Sequence, residues 1–142
     1  MIIHREDNFL QEEYCTDLIN IFETYDSTPY RDTFIFKYTD PEVLKKICKT
    51  FPNYNLEFPD NMEIVKWPTN SQMSPHYDSG DRFAFIIYLN DNFKGGETVI
   101  DDVTISPKIG RFVLFSNDIY KHEVKQITDG TRYTLIAWYK WG

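Results

Sequence analysis

His76 and Asp78 stand two residues apart, and both side chains are of types that bind transition metals. In an extended segment, residues i and i+2 project from the same face, so this imidazole and this carboxylate would converge. Two histidines and one carboxylate on one side of Fe(II) leave the remaining coordination positions open for substrates. A His-x-Asp pair alone is common on protein surfaces, so a metal site requires a second histidine elsewhere in the chain.

His122 can supply that second histidine, since it begins a segment with strand character. Ten residues further on, Arg132 opens the last long strand pattern. If 121–126 and 131–139 are paired strands, Arg132 would lie beside the pocket of His122. Its planar guanidinium could then hold the distal carboxylate of a keto diacid in a bidentate manner. The order and strand context of these residues favour a metal site over isolated surface residues.

The chain has 142 residues, which predicts one domain with a core of its own. Its hydrophobic fraction of 42% and charged fraction of 26% are typical of a soluble globular protein, and 17% aromatic residues suit a β-rich interior or a ring-lined pocket. The net charge of -7 makes nucleic acid an unfavourable partner, because no basic cluster offsets the repulsion of phosphates.

Compartment is predicted from three features of the sequence. The N-terminal stretch is too short and polar for a signal peptide, and no apolar run reaches membrane-spanning length. Cys15 and Cys48 are predicted to be free thiols in helical segments. We therefore expect a cytoplasmic protein without membrane contact, whereas the oligomeric state does not follow from the sequence.

The first part of the chain, about residues 1–55, is predicted to be mainly helical. Apolar residues at helical spacing predict an amphipathic helix from Gln11 to about Tyr25. Asp40 as N-cap and Pro41 at the first helical position predict a second helix, which ends before Pro52. Short strands are predicted at Ile2–Arg5 and Thr33–Tyr38.

From Met62 onward the hydrophobic pattern changes to period two, which is typical of strands. Helices followed by many short strands predict an α+β domain built on a β-sandwich or jelly roll. The helical part and a β core of about residues 62–142 would form a single domain spanning 1–142. The predicted strands are Met62–Trp67, Phe83–Leu89, Glu97–Ile100, Val103–Ser106, Arg111–Phe115, Lys121–Gln126 and Thr131–Tyr139.

A set of short motifs occurs in a fixed order between Met62 and Trp138, with a looser match at Asn8-Phe9-Leu10. The motifs are Pro75-His76-Tyr77-Asp78, Ile87-Tyr88-Leu89-Asn90, Gly95-Gly96-Glu97-Thr98, Pro107-x-x-Gly110-Arg111, Phe115, His122-Glu123-Val124 and Gly130-Thr131-Arg132-Tyr133. In this set the chain resembles the prolyl 4-hydroxylase branch of the iron- and 2-oxoglutarate-dependent dioxygenases. A chance match to all of these motifs together is remote.

The resemblance implies a double-stranded β-helix (a jelly roll) with the N-terminal helices packed on one face. It implies Fe(II), the cosubstrate 2-oxoglutarate and O2, with ascorbate as an additional cofactor. The implied activity is hydroxylation of a C–H bond, most specifically at C4 of proline in a peptide or protein. The implied site consists of His76, Asp78 and His122 as iron ligands, Arg132 on the distal carboxylate of 2-oxoglutarate, and Tyr88 and Thr98 facing the same pocket.

Several positions bear on specificity. Trp67 stands in the cosubstrate pocket where members of this family usually carry a tyrosine, whose hydroxyl it lacks. Met73 stands where many members carry an aromatic residue near the substrate. Arg132 is the cosubstrate cation, whereas the collagen-type enzymes use lysine. The resemblance further implies that Trp138 and Arg82 contact the substrate at the mouth of the pocket.

Three alternatives remain open at the level of the sequence. The same chemistry could act on a free amino acid or another small molecule. It could act on a methylated nucleobase, although the acidic charge disfavours that substrate. The fold could also serve as a catalytically inactive binding module, against which the complete metal triad and Arg132 count.

Overall fold

The computed structural model describes residues 2–78, 81–116 and 121–140. The ends of the predicted domain, residue 1 and residues 141–142, lie outside the described residues. Within the described part, the helices are α1 (Glu12–Thr24) and α2 (Pro41–Thr50). The strands are β1 (Ile2–Glu6), β2 (Thr28–Tyr30), β3 (Thr33–Lys37), β4 (Asn61–Trp67), β5 (Met73–His76), β6 (Asp81–Tyr88), β7 (Lys94–Gly95), β8 (Thr98–Ile100), β9 (Val103–Ile105), β10 (Phe112–Ser116), β11 (His122–Val124), β12 (Ile127–Asp129) and β13 (Arg132–Lys140).

Helix α2 begins where the sequence predicts it. The Asp40 carboxylate accepts hydrogen bonds from the backbone N–H groups of Glu42 and Val43 at 3.0 and 3.1 Å. Pro41 fits the first position because that N–H has no intrahelical partner. The Tyr14 hydroxyl of α1 also donates to Asp40, so the same carboxylate ties the two helices together.

The larger sheet has seven antiparallel strands in the order β1-β10-β6-β13-β4-β3-β2. Successive side chains along each strand point to opposite faces of the sheet, and one of these faces packs against both helices. The residues of this helix-covered face include Ile64, Phe85, Leu114 and Leu135, each fully buried, and they join Cys15, Leu18, Phe22, Val43 and Ile47 in one apolar cluster. The predicted position of the helices, on one face of the β-helix, is therefore confirmed.

The other face of the larger sheet turns toward the smaller sheet, and we call it the cavity face. Strand β13 lies between β4 and β6 and sets its register. The rows across the cavity face are Arg132 with Trp67, Thr134 with Val65 and Tyr88, Ile136 with Glu63 and Ile86, and Trp138 with Asn61 and Ala84. Ala84, Ile86 and Tyr88 of β6 therefore share the cavity face with the alternate residues of β13.

The smaller sheet has the order β5-β11-β8-β9. Strand β11 pairs with β5 and β8, whereas β13 pairs with β4 and β6. The condition under which the sequence put Arg132 beside His122, a pairing of 121–126 with 131–139, is therefore not met. Between these two strands, β12 pairs with β7, so consecutive strands belong to different sheets. His122 and Arg132 line the same cavity, but from opposite sheets.

The architecture confirms the predicted α+β class and the jelly roll. Four short strands escaped the sequence analysis: β2, β5, β7 and β12. Neither α1 nor α2, the helices of the described residues, is long and apolar enough to cross a membrane.

Candidate active site

The two predicted histidine ligands come from neighbouring strands of the smaller sheet. His76 of β5 and His122 of β11 are direct cross-strand partners, with ring centroids 4.2 Å apart. Asp78 follows β5, and its carboxylate oxygens lie 3.4 Å from Nε2 of His76 and 3.1 Å from Nε2 of His122. One ligand atom from each residue lies within 4.8 Å of the others. The sequence-predicted triad thus meets at one point.

This donor set fits a transition metal with open positions. Bonds of roughly 2.0–2.2 Å at right angles put neighbouring ligand atoms about 3 Å apart, close to the distances between Asp78 and the two histidines. The Nδ1–H group of His76 donates to the carbonyl oxygen of Ser74 at 2.8 Å, which leaves Nε2 free of a proton and able to bind a metal. The rings of Phe115 and His122 form a T-shaped pair with centroids 5.5 Å apart.

A cavity of about 1010 Å³ lies between the two sheets. The metal-ligand triad lines one wall, and the cavity face of β4 and β13 lines the other. Ligand pockets span roughly 300–1,000 Å³, so this cavity has room for two reactants at once.

Arg132 is buried in the wall of this cavity, with 1% of its surface exposed. Its Nε donates to the carbonyl oxygen of Gly96 at 3.1 Å, and its Nη2 donates to Oγ1 of Thr98 at 3.0 Å. The guanidinium also lies over the rings of Trp67 and Tyr88, 4.9 and 5.2 Å from their centroids. Among the described residues no carboxylate lies within 4.0 Å of it.

Burial lowers the pKa of Arg132, and the neighbouring Tyr88 opposes that shift. An arginine stays charged in proteins, so the site holds a buried positive charge whose protein partners are neutral. Burying a charge without a counterion costs free energy, which an anionic ligand in the cavity would recover.

Tyr88 and Thr98 contact the guanidinium of Arg132 and each other. The Tyr88 hydroxyl lies 2.7 Å from Oγ1 of Thr98 and accepts the backbone N–H of Thr98 at 3.1 Å. Both residues are buried, and neither is among the described residues that line the cavity. Their contacts therefore orient the guanidinium.

Among the described residues, two buried polar atoms on the cavity face find no hydrogen-bond partner: Nε1 of Trp67 and Oγ1 of Thr134. A buried donor or acceptor without a hydrogen-bond partner lowers the free energy of unfolding by about 1–3 kcal/mol. Both atoms belong to residues that flank Arg132 on the cavity face, so an anionic ligand there could accept hydrogen bonds from them. The sequence analysis assigned Thr134 no role; a polar residue at a strand position with buried neighbours was the available signal.

The turn at Gly95 and Gly96 requires glycine. Both residues have positive φ, +78° and +71°. A Cβ on Gly95 would lie 1.9 Å from the carbonyl oxygen of Gln126, and one on Gly96 would lie 3.1 Å from Cδ of Arg132. This close approach lets the Gly96 carbonyl accept from the buried guanidinium.

The two predicted substrate contacts differ in position. Trp138 lines the cavity, as does Met73. Arg82 lies at the start of β6, with its guanidinium carbon 4.5 Å from the ring centroid of Phe83, and is not among the described residues that line the cavity. The sequence analysis missed Glu63 and Asn61, which also line it.

Residues 62–140 match the 2OG-Fe(II) oxygenase superfamily. The chain belongs to this superfamily. Membership implies Fe(II), 2-oxoglutarate and O2 as cofactors, and the geometry of His76, Asp78 and His122 suits the metal.

Similar sequences include prolyl hydroxylases. The chain is 32% identical over 91 residues to human "Prolyl 3-hydroxylase 3", a match that covers 58% of this chain and 11% of that protein. It is 28% identical over 111 residues to "Probable prolyl 4-hydroxylase 11" of Arabidopsis thaliana, covering 69% of this chain and 40% of that protein. The chain thus spans less than half the length of these relatives.

Solved structures with the same fold also include prolyl hydroxylases. A prolyl hydroxylase from Trichoplax adhaerens, in complex with a hypoxia inducible factor peptide fragment, superimposes with a TM-score of 0.79 at 20% identity, covering 96% of this chain and 82% of that one. The viral collagen prolyl hydroxylase of Paramecium Bursaria Chlorella virus-1 gives 0.74 at 21% identity, covering 95% and 93%. These matches confirm the jelly-roll fold. The superfamily match and the similar prolyl hydroxylase sequences confirm the resemblance to the prolyl hydroxylase branch.

Proposed function

We propose that the protein is an Fe(II)- and 2-oxoglutarate-dependent dioxygenase that hydroxylates proline at C4 in a peptide or protein. The observation that carries the proposal is the placement of the His76, Asp78 and His122 cluster and the buried Arg132 guanidinium around one cavity. Residues 1–142 would form the single catalytic domain.

His76, Asp78 and His122 would hold the metal and leave its other positions open toward the cavity. When bound, Fe(II) with 2-oxoglutarate and O2 supplies the oxidising chemistry that converts a C–H bond into C–OH, with succinate and CO2 as the other products. Arg132 would bind the distal carboxylate of 2-oxoglutarate, held in orientation by Thr98 and Tyr88.

Trp67 would complete the cosubstrate site through its indole N–H group. That N–H is a donor only, so it suits a carboxylate oxygen, and no described residue accepts a hydrogen bond from it. Thr134 offers a hydroxyl beside it. In this role Trp67 replaces the tyrosine hydroxyl that the family resemblance led us to expect.

Apolar side chains would exclude water from the reacting centre. Val65, Ile86, Ile136 and Val124 line the same cavity as the triad and Arg132. Water exclusion strengthens the interactions of the charged groups and protects a reactive site from side reactions. Trp138 would pack against the proline ring, and Arg82 would contact a peptide carbonyl, as the family resemblance implies.

The proposal includes ascorbate as an accessory cofactor and a cytoplasmic location. Two free thiols, Cys15 and Cys48, support a reducing compartment. Omitting ascorbate from the activity assay tests the first point, and microscopy of the tagged protein in its own cell tests the second.

Anaerobic spectroscopy tests the metal and cosubstrate sites directly. Fe(II) and 2-oxoglutarate added together should give a visible charge-transfer band, which His76→Ala, Asp78→Ala and His122→Ala should each abolish. Glu57→Gln, an exposed change outside the cavity, serves as the control and should leave the band intact. A wild-type protein with no band and no thermal shift on adding 2-oxoglutarate would instead be a binding module.

Product analysis tests the substrate. Proline-containing peptides and free proline are incubated with the holoenzyme, and mass spectrometry measures addition of one oxygen alongside succinate release. Trp138→Ala and Arg82→Ala should raise the peptide concentration required while uncoupled turnover persists. Oxidation of free proline alone would transfer the proposal to a free amino acid, and turnover of 2-oxoglutarate without any oxidised proline compound would remove the prolyl assignment.

A further inference from the structure

Glu63 is a buried carboxylate on the cavity face that the chemistry above does not use. Its exposed fraction is 5%, and its row on the sheet contains Ile136 on one side and Lys37 on the other. Oε2 accepts a hydrogen bond from Nδ2 of Asn61 at 2.8 Å. Within the described part of the chain, Oε1 accepts no hydrogen bond and no cation, Lys37 included, lies within 4.0 Å of the carboxylate.

The burial of the Glu63 carboxylate lowers the stability of the fold. Burial raises the pKa of Glu63, while the hydrogen bond from Asn61 and the charge of Lys37 oppose the shift. A carboxylate in a mainly apolar wall with one oxygen unused loses more hydration than its contacts return. Residues that cost stability are found where function requires them.

The position of Glu63 separates it from the cosubstrate site. Along β4 it lies four residues from Trp67, a distance of roughly 13 Å at about 3.3 Å per residue. A five-carbon keto acid held by Arg132 is shorter than this span. The negative charge of Glu63 would also repel the carboxylates of 2-oxoglutarate. Glu63 therefore belongs to the part of the cavity that the second reactant occupies.

We infer that Glu63 determines substrate specificity by accepting a hydrogen bond from an N–H group of the substrate. The inference rests on the proposed function. A proline inside a peptide has no N–H of its own, so the donor would be the backbone amide of an adjacent residue; in free proline it would be the secondary ammonium. Asn61 positions the carboxylate by holding its other oxygen.

Calorimetry with the anaerobic Fe(II)/2-oxoglutarate holoenzyme tests the inference without requiring turnover. The probes are free L-proline, N-acetyl-L-proline, a capped proline tripeptide, and the same tripeptide with the amide nitrogen after proline methylated. Glu63→Gln keeps the shape and the contact with Asn61 but removes the charge, and Glu57→Gln changes the same charge on the surface.

We expect Glu63→Gln to weaken binding of the donor-bearing probe roughly tenfold to a hundredfold, the range for a hydrogen bond to a charged group. Glu57→Gln should change neither that affinity nor that for 2-oxoglutarate. Binding of L-proline but not N-acetyl-L-proline identifies an ammonium donor, and loss of tripeptide binding on methylation identifies a backbone amide.

The thermal midpoint of Glu63→Gln should stay equal to or rise above that of the wild type. Unchanged probe binding in Glu63→Gln, or a wild-type holoenzyme that binds none of the probes, overturns the inference. The affinity of 2-oxoglutarate in the same titrations reports separately on the proposed function, so the two can fail independently.

Discussion

The two faces of the seven-stranded sheet are built from the same strands but with different chemistry. The helix-covered face is closed by apolar side chains. The cavity face carries Arg132, Glu63 and the polar atoms of Trp67 and Thr134 that have no hydrogen-bond partner in the described part of the chain. Because neighbouring residues on one strand point to opposite faces, one strand both stabilises the fold and presents the candidate site. Buried charges and unpaired polar atoms, which would destabilise a packed core, therefore lie on the face that borders the cavity.

Two buried arginines give the same contrast at the level of single residues. Arg111, 8% exposed, donates through Nε and Nη2 to both carboxylate oxygens of Asp7 and through Nη1 to the carbonyl oxygen of Ser106. Arg132, 1% exposed, has only neutral partners among the described residues. Arg111 thus joins the N-terminal segment to the β9–β10 connection. The charge of Arg132, by contrast, has no anionic partner among the described residues.

The largest expected effect separates the faces by stability. Leu135 is fully buried under the helices, and its neighbour Ile136 lies half-buried on the cavity face. Leu135→Ala should lower the free energy of unfolding by about 2–5 kcal/mol, because it leaves a cavity in a packed core. Ile136→Ala should cost less, since its side chain already borders open space. Urea unfolding measures both, and equal losses would contradict the distinction between the faces.

The next effect concerns the charge on the cavity face. Arg132→Met should weaken 2-oxoglutarate binding roughly tenfold to more than a hundredfold, because the distal carboxylate loses a charged partner. The fold should be as stable as the wild type or more so, since a buried charge without a counterion is removed. Calorimetry of 2-oxoglutarate and of a metal alone, with thermal unfolding, checks this. An unchanged 2-oxoglutarate affinity would identify a different anchoring cation.

Sequence patterns predicted the elements better than their partners. The cap of α2 followed from Asp40 and Pro41 because capping is local. The alternation that put Arg132 and Trp138 on one face was equally local. The partners of β11 could not be predicted in this way. Neighbouring strands in a chain often pair, and nothing local revealed that the intervening β12 pairs with β7.

The site was predictable where residue type and spacing carry chemistry. His76, Asp78 and His122 converge as the sequence predicts. Glu63 was missed because a strand with one charged inner position resembles ordinary alternation until the neighbouring strands are known. Whether a polar atom such as Oγ1 of Thr134 has a partner depends on the packing of three strands, which periodicity does not encode.

A smaller effect on 2-oxoglutarate binding is expected from removing Nε1 of Trp67 or Oγ1 of Thr134, the two buried polar atoms for which the described residues supply no partner. Thr134→Val removes the hydroxyl with little change in shape, so it should not destabilise the fold. Trp67→Phe removes the indole N–H together with part of a buried ring, so it should also lower the stability somewhat. Each should weaken 2-oxoglutarate binding by about 0.5–1.5 kcal/mol, roughly twofold to tenfold. Tryptophan fluorescence on titration with 2-oxoglutarate, together with calorimetry, measures the change. A loss of stability without a loss of affinity would show that both groups serve packing alone.

The smallest effect concerns the contrasting arginine. Hydrogen bonds from the Arg111 guanidinium lower the pKa of Asp7 to about 2 from its ordinary value of 3.8. Since the folded-state pKa is the lower one, the contribution of this pair to stability is fully present above about pH 4 and is lost as the pH falls toward 2. Asp7 is partly exposed, so Asp7→Asn should cost less than about 1 kcal/mol at pH 7, as surface pairs do. Urea midpoints of wild type and Asp7→Asn should therefore differ slightly at neutral pH and converge near pH 2. A difference that stays constant across this range would mean that Asp7 acts through hydrogen bonds that its charge does not strengthen.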